Sequence, residues 1–129
     1  MREELDKALC DKYPDIFSDR YSSMMDTAMC WGFDCGDGWY NIIDILCQHL
    51  VWITPKEGPK PVAIQVKEKF GTLRFYLKYG TDAHYALTAI IEDISSTICE
   101  ECGTNQNVTT QGSGWIRTLC SDCRNEHTK

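Results

Sequence analysis

The sequence predicts an α+β fold in which helices pack on a central antiparallel β-hairpin that is followed by a C-terminal four-cysteine zinc ribbon. Three observations carry this expectation: apolar residues at three-and-four spacing from Trp39 to Leu50, an alternating run from Val62 to Tyr79 broken once, and two C-x2-C pairs near the end of the chain. At 129 residues and 43% apolar content the chain is long enough to bury one core, so we expect residues 1–98 to form the α+β core and residues 99–129 a ribbon attached to the same compact unit.

The first element is a helix with Leu5, Ala8 and Leu9 on one face, ending before Pro14 because that ring disfavours helix at the residue preceding it. Spacings among Tyr21, Met24, Met25, Ala28 and Met29 suggest a second short helix around 21–29. The stretch from Cys30 to Gly38, with three glycines and two aspartates, reads as an irregular turn, and Asp37 reads as the N-cap of a helix over 38–51. That helix buries Trp39, Ile42, Ile43, Leu46, Cys47 and Leu50. After a Pro/Gly-rich break at 54–61, strands Val62 to Phe70 and Leu73 to Tyr79 meet across Gly71-Thr72. Period two turns Val62, Ile64, Val66, Phe70, Leu73, Phe75, Leu77 and Tyr79 to the core, and leaves Gln65, Lys67, Lys69, Arg74, Tyr76 and Lys78 on the opposite face. A last helix over 82–98 has Leu87, Ile90, Ile91, Ile94 and Ile98 as its apolar stripe.

Cys99-Glu100-Glu101-Cys102 and Cys120-Ser121-Asp122-Cys123 are separated by 17 residues, within the spacing of a four-cysteine zinc site. Two residues between cysteines let one tight turn aim both sulfurs at an ion, and two such turns complete a tetrahedron. Gly103 follows the second cysteine, and the segments 107–111 and 115–119 flank Gly112-Ser113-Gly114 as a hairpin carrying the second pair. The competing readings are a redox C-x2-C motif or two disulfides. The site is expected to hold one structural zinc per chain, because four protein sulfurs leave no position for water.

From Cys99 onward the chain resembles the zinc frame of HNH-family nucleases, with its C-x2-C-Gly opening and its Leu119-Cys120-Ser121-Asp122-Cys123 closing. That family places its general-base histidine between the two pairs, where this chain has none, so the resemblance carries over the metal frame and not the nuclease activity. A second resemblance covers about half the chain. Lys67-Glu68-Lys69-Phe70-Gly71-Thr72-Leu73-Arg74-Phe75-Tyr76, the first C-x2-C, and Gly114-Trp115-Ile116-Arg117-Thr118-Leu119-Cys120 are similar to small proteins encoded by bacteriophages and prophages. The resemblance implies an accessory gene product that acts on host machinery, host defences included.

The remaining candidates have simpler readings. Cys30, Cys35, Cys47 and His49 form a conceivable second metal site, but Cys47 and His49 point to different sides of a helix, and buried thiols explain the cysteines. Asp34 and Asp37 suit turns and caps rather than acid–base catalysis. Trp31, Trp39, Trp52 and Trp115 read as packing residues, Trp115 being the one placed to serve as an exposed binding anchor. The formal charge of −6 conceals a basic middle: residues 1–50, 51–80 and 81–129 carry −6, +4 and −4. Lys67, Lys69, Arg74, Tyr76 and Lys78 are therefore the candidate contacts for a partner, with Trp115 beside them. The expected function is non-enzymatic: binding of a host protein, or alternatively capture of a nucleotide or nucleic acid on the basic face. No run approaches the length of a membrane helix and no export signal opens the chain, which gives the expectation of a soluble protein of the bacterial host cytoplasm.

Overall fold

The structure is a computed structural model that describes residues 1–127. Helix α1 (Glu3–Lys12) begins with Glu3, Glu4 and Asp6 and ends with Lys12, which suits the helix dipole, and it stops short of Pro14. Residues 14–27 form turns rather than the second helix expected near 21–29, and only a short 3₁₀ turn follows at Ala28–Trp31. An ion pair fixes this segment. Arg20 Nη2 lies 3.0 Å from the buried Asp6 carboxylate, and Arg20 Nη1 donates to the Cys30 carbonyl at 3.0 Å. Tyr21, Met24 and Met25 are left exposed.

Strand β1 (Phe33–Asp34) runs parallel to β2 (Val62–Lys69), which pairs antiparallel with β3 (Thr72–Lys78) in the order β1-β2-β3. Between β1 and β2 lie a 3₁₀ turn at Asp37–Trp39 and helix α2 (Tyr40–Ile53), whose expected stripe of Trp39, Ile42, Ile43, Leu46, Cys47 and Leu50 is buried throughout. Asp37 does not cap α2; its carboxylate instead accepts the Arg2 backbone N–H at 2.7 Å and pairs with that guanidinium. The core joins this stripe to Leu9, Phe17, Phe33, Val66, Leu73 and Phe75, with the Phe17 ring edge-on to Phe33 and Phe75.

The hairpin corrects the alternation in two places. Pairing slips between Ala63 and Gln65, so Ile64 is an extra residue; Ala63 and Val66 both face the core while Val62 and Ile64 are only half-buried. The turn residues are Phe70 and Gly71, not Gly71 and Thr72, and their φ of 54° and 86° define a two-residue loop with both residues left-handed. Phe70 therefore sits in the turn, 68% exposed, and Tyr79 lies beyond the strand and is exposed as well.

Helix α3 (Asp82–Ser95) turns a different face inward from the one expected. His84, Thr88, Ile91 and Ser95 are buried, Leu87 and Ile98 are half-buried, and Ile90 and Ile94 are exposed. The reason is the bare edge of β3, whose outward N–H groups need partners. Ser95 Oγ accepts the Leu73 N–H at 2.9 Å, Glu92 Oε2 accepts the Phe75 N–H at 2.9 Å, and Tyr85 Oη donates to the Leu77 carbonyl. Closing the chain are β4 (Val108–Gln111) and β5 (Arg117–Cys120), an antiparallel pair, and α4 (Ser121–His127).

Candidate metal centre and binding surfaces

Each cysteine of the C-terminal group is delivered by a different part of its turn. Cys99 follows α3, Cys102 closes the first turn ahead of Gly103 (φ 83°), Cys120 ends β5, and Cys123 lies in α4. Their sulfurs all lie within 4.8 Å of one another, and among the described residues no other group of three or more His, Cys, Asp or Glu side chains is so gathered. A tetrahedron with metal–sulfur bonds of about 2.3 Å has edges of about 3.8 Å. Cys102 and Cys120 stand at 3.8 Å. Four soft donors at this spacing fit a metal ion, and all eight cysteines are free thiols rather than disulfides.

The surroundings favour thiolates in part. Burial opposes ionisation of Cys99, but the backbone N–H groups of Cys102, Cys120 and Glu101 and the Cys102 thiol outweigh it and bring its pKa down to about 7. Cys123 is pushed up by burial and by the neighbouring thiols of Cys120, Cys99 and Cys102. The Cys123 N–H points at Cys120 Sγ from 3.4 Å, the kind of supporting contact that orients a ligand sulfur.

This cluster is tied to the core by close backbone approach. The Gly38 N–H donates to the Glu100 carbonyl at 2.7 Å, and Trp39 Nε1 donates to the Ile98 carbonyl at 2.9 Å. A Cβ at Gly38 would collide with the Cys99 and Glu100 carbonyls, so that glycine is required by packing. At the other side Thr118 Oγ1 donates to the Gly71 carbonyl at 2.6 Å, and a Cβ at Gly71 would meet Thr110 and Ile116. The hairpin turn thus seats on the β4–β5 pair.

The expected polar face of the hairpin is present. Lys67 lies directly opposite Arg74, Gln65 opposite Tyr76, and Lys69 opposite Thr72. Lys78 is neutralised by Asp19 at 3.0 Å, whereas Lys67, Lys69 and Arg74 have no carboxylate within 4.0 Å among the described residues. Arg74 Nε is buried without a hydrogen-bond partner, and Lys69 Nζ lies 5.7 Å from the Phe70 ring centroid.

Cys47 and Cys35 are buried thiols, with burial pushing Cys35 up to about 12 and Cys47 well above its ordinary value. His49 is exposed on another side of α2 from Cys47, and Cys30 is half-buried beside Arg20. Of the tryptophans only Trp39 is core; Trp31, Trp52 and Trp115 are 71%, 85% and 68% exposed, against the packing roles expected for the first two. Trp115 is stacked by Arg117, whose Cζ lies 4.6 Å from the ring centroid.

Two charged residues that motif reading passed over also stand here. Glu100 is 5% exposed, its carboxyl raised by burial against the opposing pull of the Gly36 N–H at 2.9 Å and of Arg117. Arg117 is drawn toward Glu100 and Glu101 at 3.8 and 3.5 Å. The two non-cysteine positions of a C-x2-C turn read as solvated linkers, and only the third dimension shows one of them pointing inward.

No family model, curated protein or solved structure matches the chain. No helix among the described residues is long and apolar enough to cross a membrane.

Proposed function

We propose that this is a zinc-braced, non-enzymatic binding protein that engages an anionic surface of a host macromolecule through the outer face of its central hairpin. Zinc is the metal assigned to the four thiolates because soft sulfur donors at tetrahedral spacing suit it, and four sulfurs leave no position for water or substrate. The metal is then structural and the working surface lies elsewhere. The observation that carries the reading is the cross-strand pair Lys67 and Arg74: like charges placed directly opposite are unfavourable, and although Asp34 flanks Lys67 on the β1 side, neither cation has a carboxylate within 4.0 Å among the described residues. A half-buried cation pair with no ion-pair contact of its own is a cost that an anionic partner offsets. The similarity of Lys67 to Tyr76 and Gly114 to Cys120 to phage and prophage proteins supports a host component, host defences included, as that partner.

Nucleotide or nucleic acid is the second reading, favoured by Tyr76 at 40% exposure on the same face. The test measures host proteins, nucleotides and oligonucleotides bound by wild type and by the Lys67→Ala, Arg74→Ala double variant at low and high salt. Binding that weakens about tenfold or more with salt and with the double substitution supports the reading. Equal binding by both proteins at both salts assigns the face to solvated surface.

A further inference from the structure

A cleft of about 530 Å³ lies between the Asp34–Asp37 loop and the cysteine-bearing segment. Glu68, Glu100, Glu101, Trp115 and Arg117 line it. Arg117 is the odd member. Its side chain is 15% exposed, yet its guanidinium makes no hydrogen bond among the described residues: Glu101 Oε1 stands 3.5 Å from Nη1, Glu100 Oε1 stands 3.8 Å from Nη2, and Nε is buried with no partner. Glu100 Oε1 likewise accepts no hydrogen bond. Glu68 accepts the Gly71 N–H on Oε2 at 2.8 Å and also lines the cleft. The Trp115 indole beside them is exposed, and the Arg117 guanidinium covers part of one of its faces, with Cζ 4.6 Å from the ring centroid.

Guanidinium donors held only in long ion pairs, carboxylate oxygens at the cleft and the part of the indole that Arg117 leaves uncovered together select a planar ligand that carries acceptors on one edge and donors on the next. We propose that this cleft is a guanine-base site, in which Arg117 donates to O6 and N7, Glu68 accepts from N1–H and the 2-amino group, and the base stacks on Trp115. Arginine bidentate to O6 and N7 is the usual reading of guanine, and carboxylates accept from base N–H groups. Stacking on an aromatic side chain is the common means of holding an unstacked base. Adenine lacks the carbonyl and uracil the amino group, so neither fills both halves. The carboxylates around the cleft repel phosphate, which orients any phosphate or sugar chain outward. Glu100 is a positioning residue here: buried and bonded to the Gly36 N–H, it holds the guanidinium under the indole without touching the base. The site stands whether or not the hairpin's outer face binds anything, since Glu68 projects from the opposite face of β2 to Lys67.

The probe is guanosine, which has no phosphate and therefore does not report on the basic face. Calorimetric titration of zinc-loaded wild type should show guanosine binding about tenfold or more tighter than adenosine, cytidine or uridine. Trp115→Ala, an exposed change, and Glu68→Gln, which still accepts the Gly71 N–H, should each weaken guanosine about tenfold with circular dichroism unchanged. Guanosine monophosphate and a guanine-containing single-stranded RNA distinguish a free nucleotide from a nucleic acid as the source of the base. Absence of guanosine binding at millimolar concentration, equal binding of all four nucleosides, or full affinity in both variants overturns the assignment.

Discussion

Glycine 38 shows how one residue can couple the metal-binding segment to the core. Its N–H reaches the Glu100 carbonyl at 2.7 Å only because no side chain intervenes. We expect Gly38→Ala to lower stability by about 1–3 kcal/mol, the usual cost of overpacking, measured as the shift in urea midpoint. His84 is a second such residue, 2% exposed at the start of α3. Thr54 Oγ1 donates to the Leu50 carbonyl, so it accepts from His84 Nε2, and His84 Nδ1 in turn accepts the Thr81 N–H at 3.0 Å. The neutral Nε2–H imidazole is thus the bonded form, and burial lowers its pKa below 6.5. Because the unfolded state then binds the proton more readily, His84 contributes no penalty above pH 6.5 and a growing one as pH falls below it. Unfolding free energy should decline from pH 7 to 5, with a smaller decline in His84→Gln; parallel pH profiles for the two proteins would count against this role. Neither residue was legible in the sequence, since Gly38 read as one turn glycine among three and His84 is a polar residue in a helix whose isoleucines dominate the pattern.

At the level of elements, the buried stripe of α2 was legible because Trp39, Ile42, Ile43, Leu46, Cys47 and Leu50 all join the apolar core, whereas its start was not: a 3₁₀ turn occupies Asp37–Trp39 and Asp37 pairs with Arg2 instead of capping the helix. Helix α3 was legible in position but not in rotation. Its orientation is set by hydrogen bonds to the β3 edge from Ser95, Glu92 and Tyr85, and polar satisfaction of a strand edge leaves no apolar signature. Ser95→Ala should cost about 1–3 kcal/mol by leaving the buried Leu73 N–H unpaired, and the amide of Leu73 should exchange faster than that of Val66. An unchanged stability and exchange rate would mean that packing, not this bond, docks the helix. The hairpin teaches the complementary point. Strict alternation located both strands and put Lys67, Lys69, Arg74, Tyr76 and Lys78 on one face, but a bulge at Ile64 and a left-handed Phe70 are invisible to period two. The segment near 21–29 failed as a helix because Arg20 is held by Asp6 and by the Cys30 carbonyl, contacts too distant in sequence to read.

For the whole molecule, the four cysteines were the most legible feature, since their chemistry requires a spacing that a linear sequence displays directly. Less legible was how firmly they are built into the fold. Gly36, Gly38 and Trp39 bond to residues 98–100, and Gly71 bonds to Thr118, so both the connection from β1 to α2 and the turn of the central hairpin rest on the segment that the metal would organise. Removal of the metal should therefore loosen more than residues 99–123: near-ultraviolet circular dichroism, which reports the buried Trp39, should change on chelation along with the cysteine region. The most direct test of the central claim is native mass spectrometry of protein purified without added metal, alongside the Cys99→Ser and Cys120→Ser variants. One zinc per wild-type chain, absent or weakly held in either variant, is the predicted result. A wild-type chain carrying no metal, with the two C-x2-C pairs joined as disulfides, would contradict it.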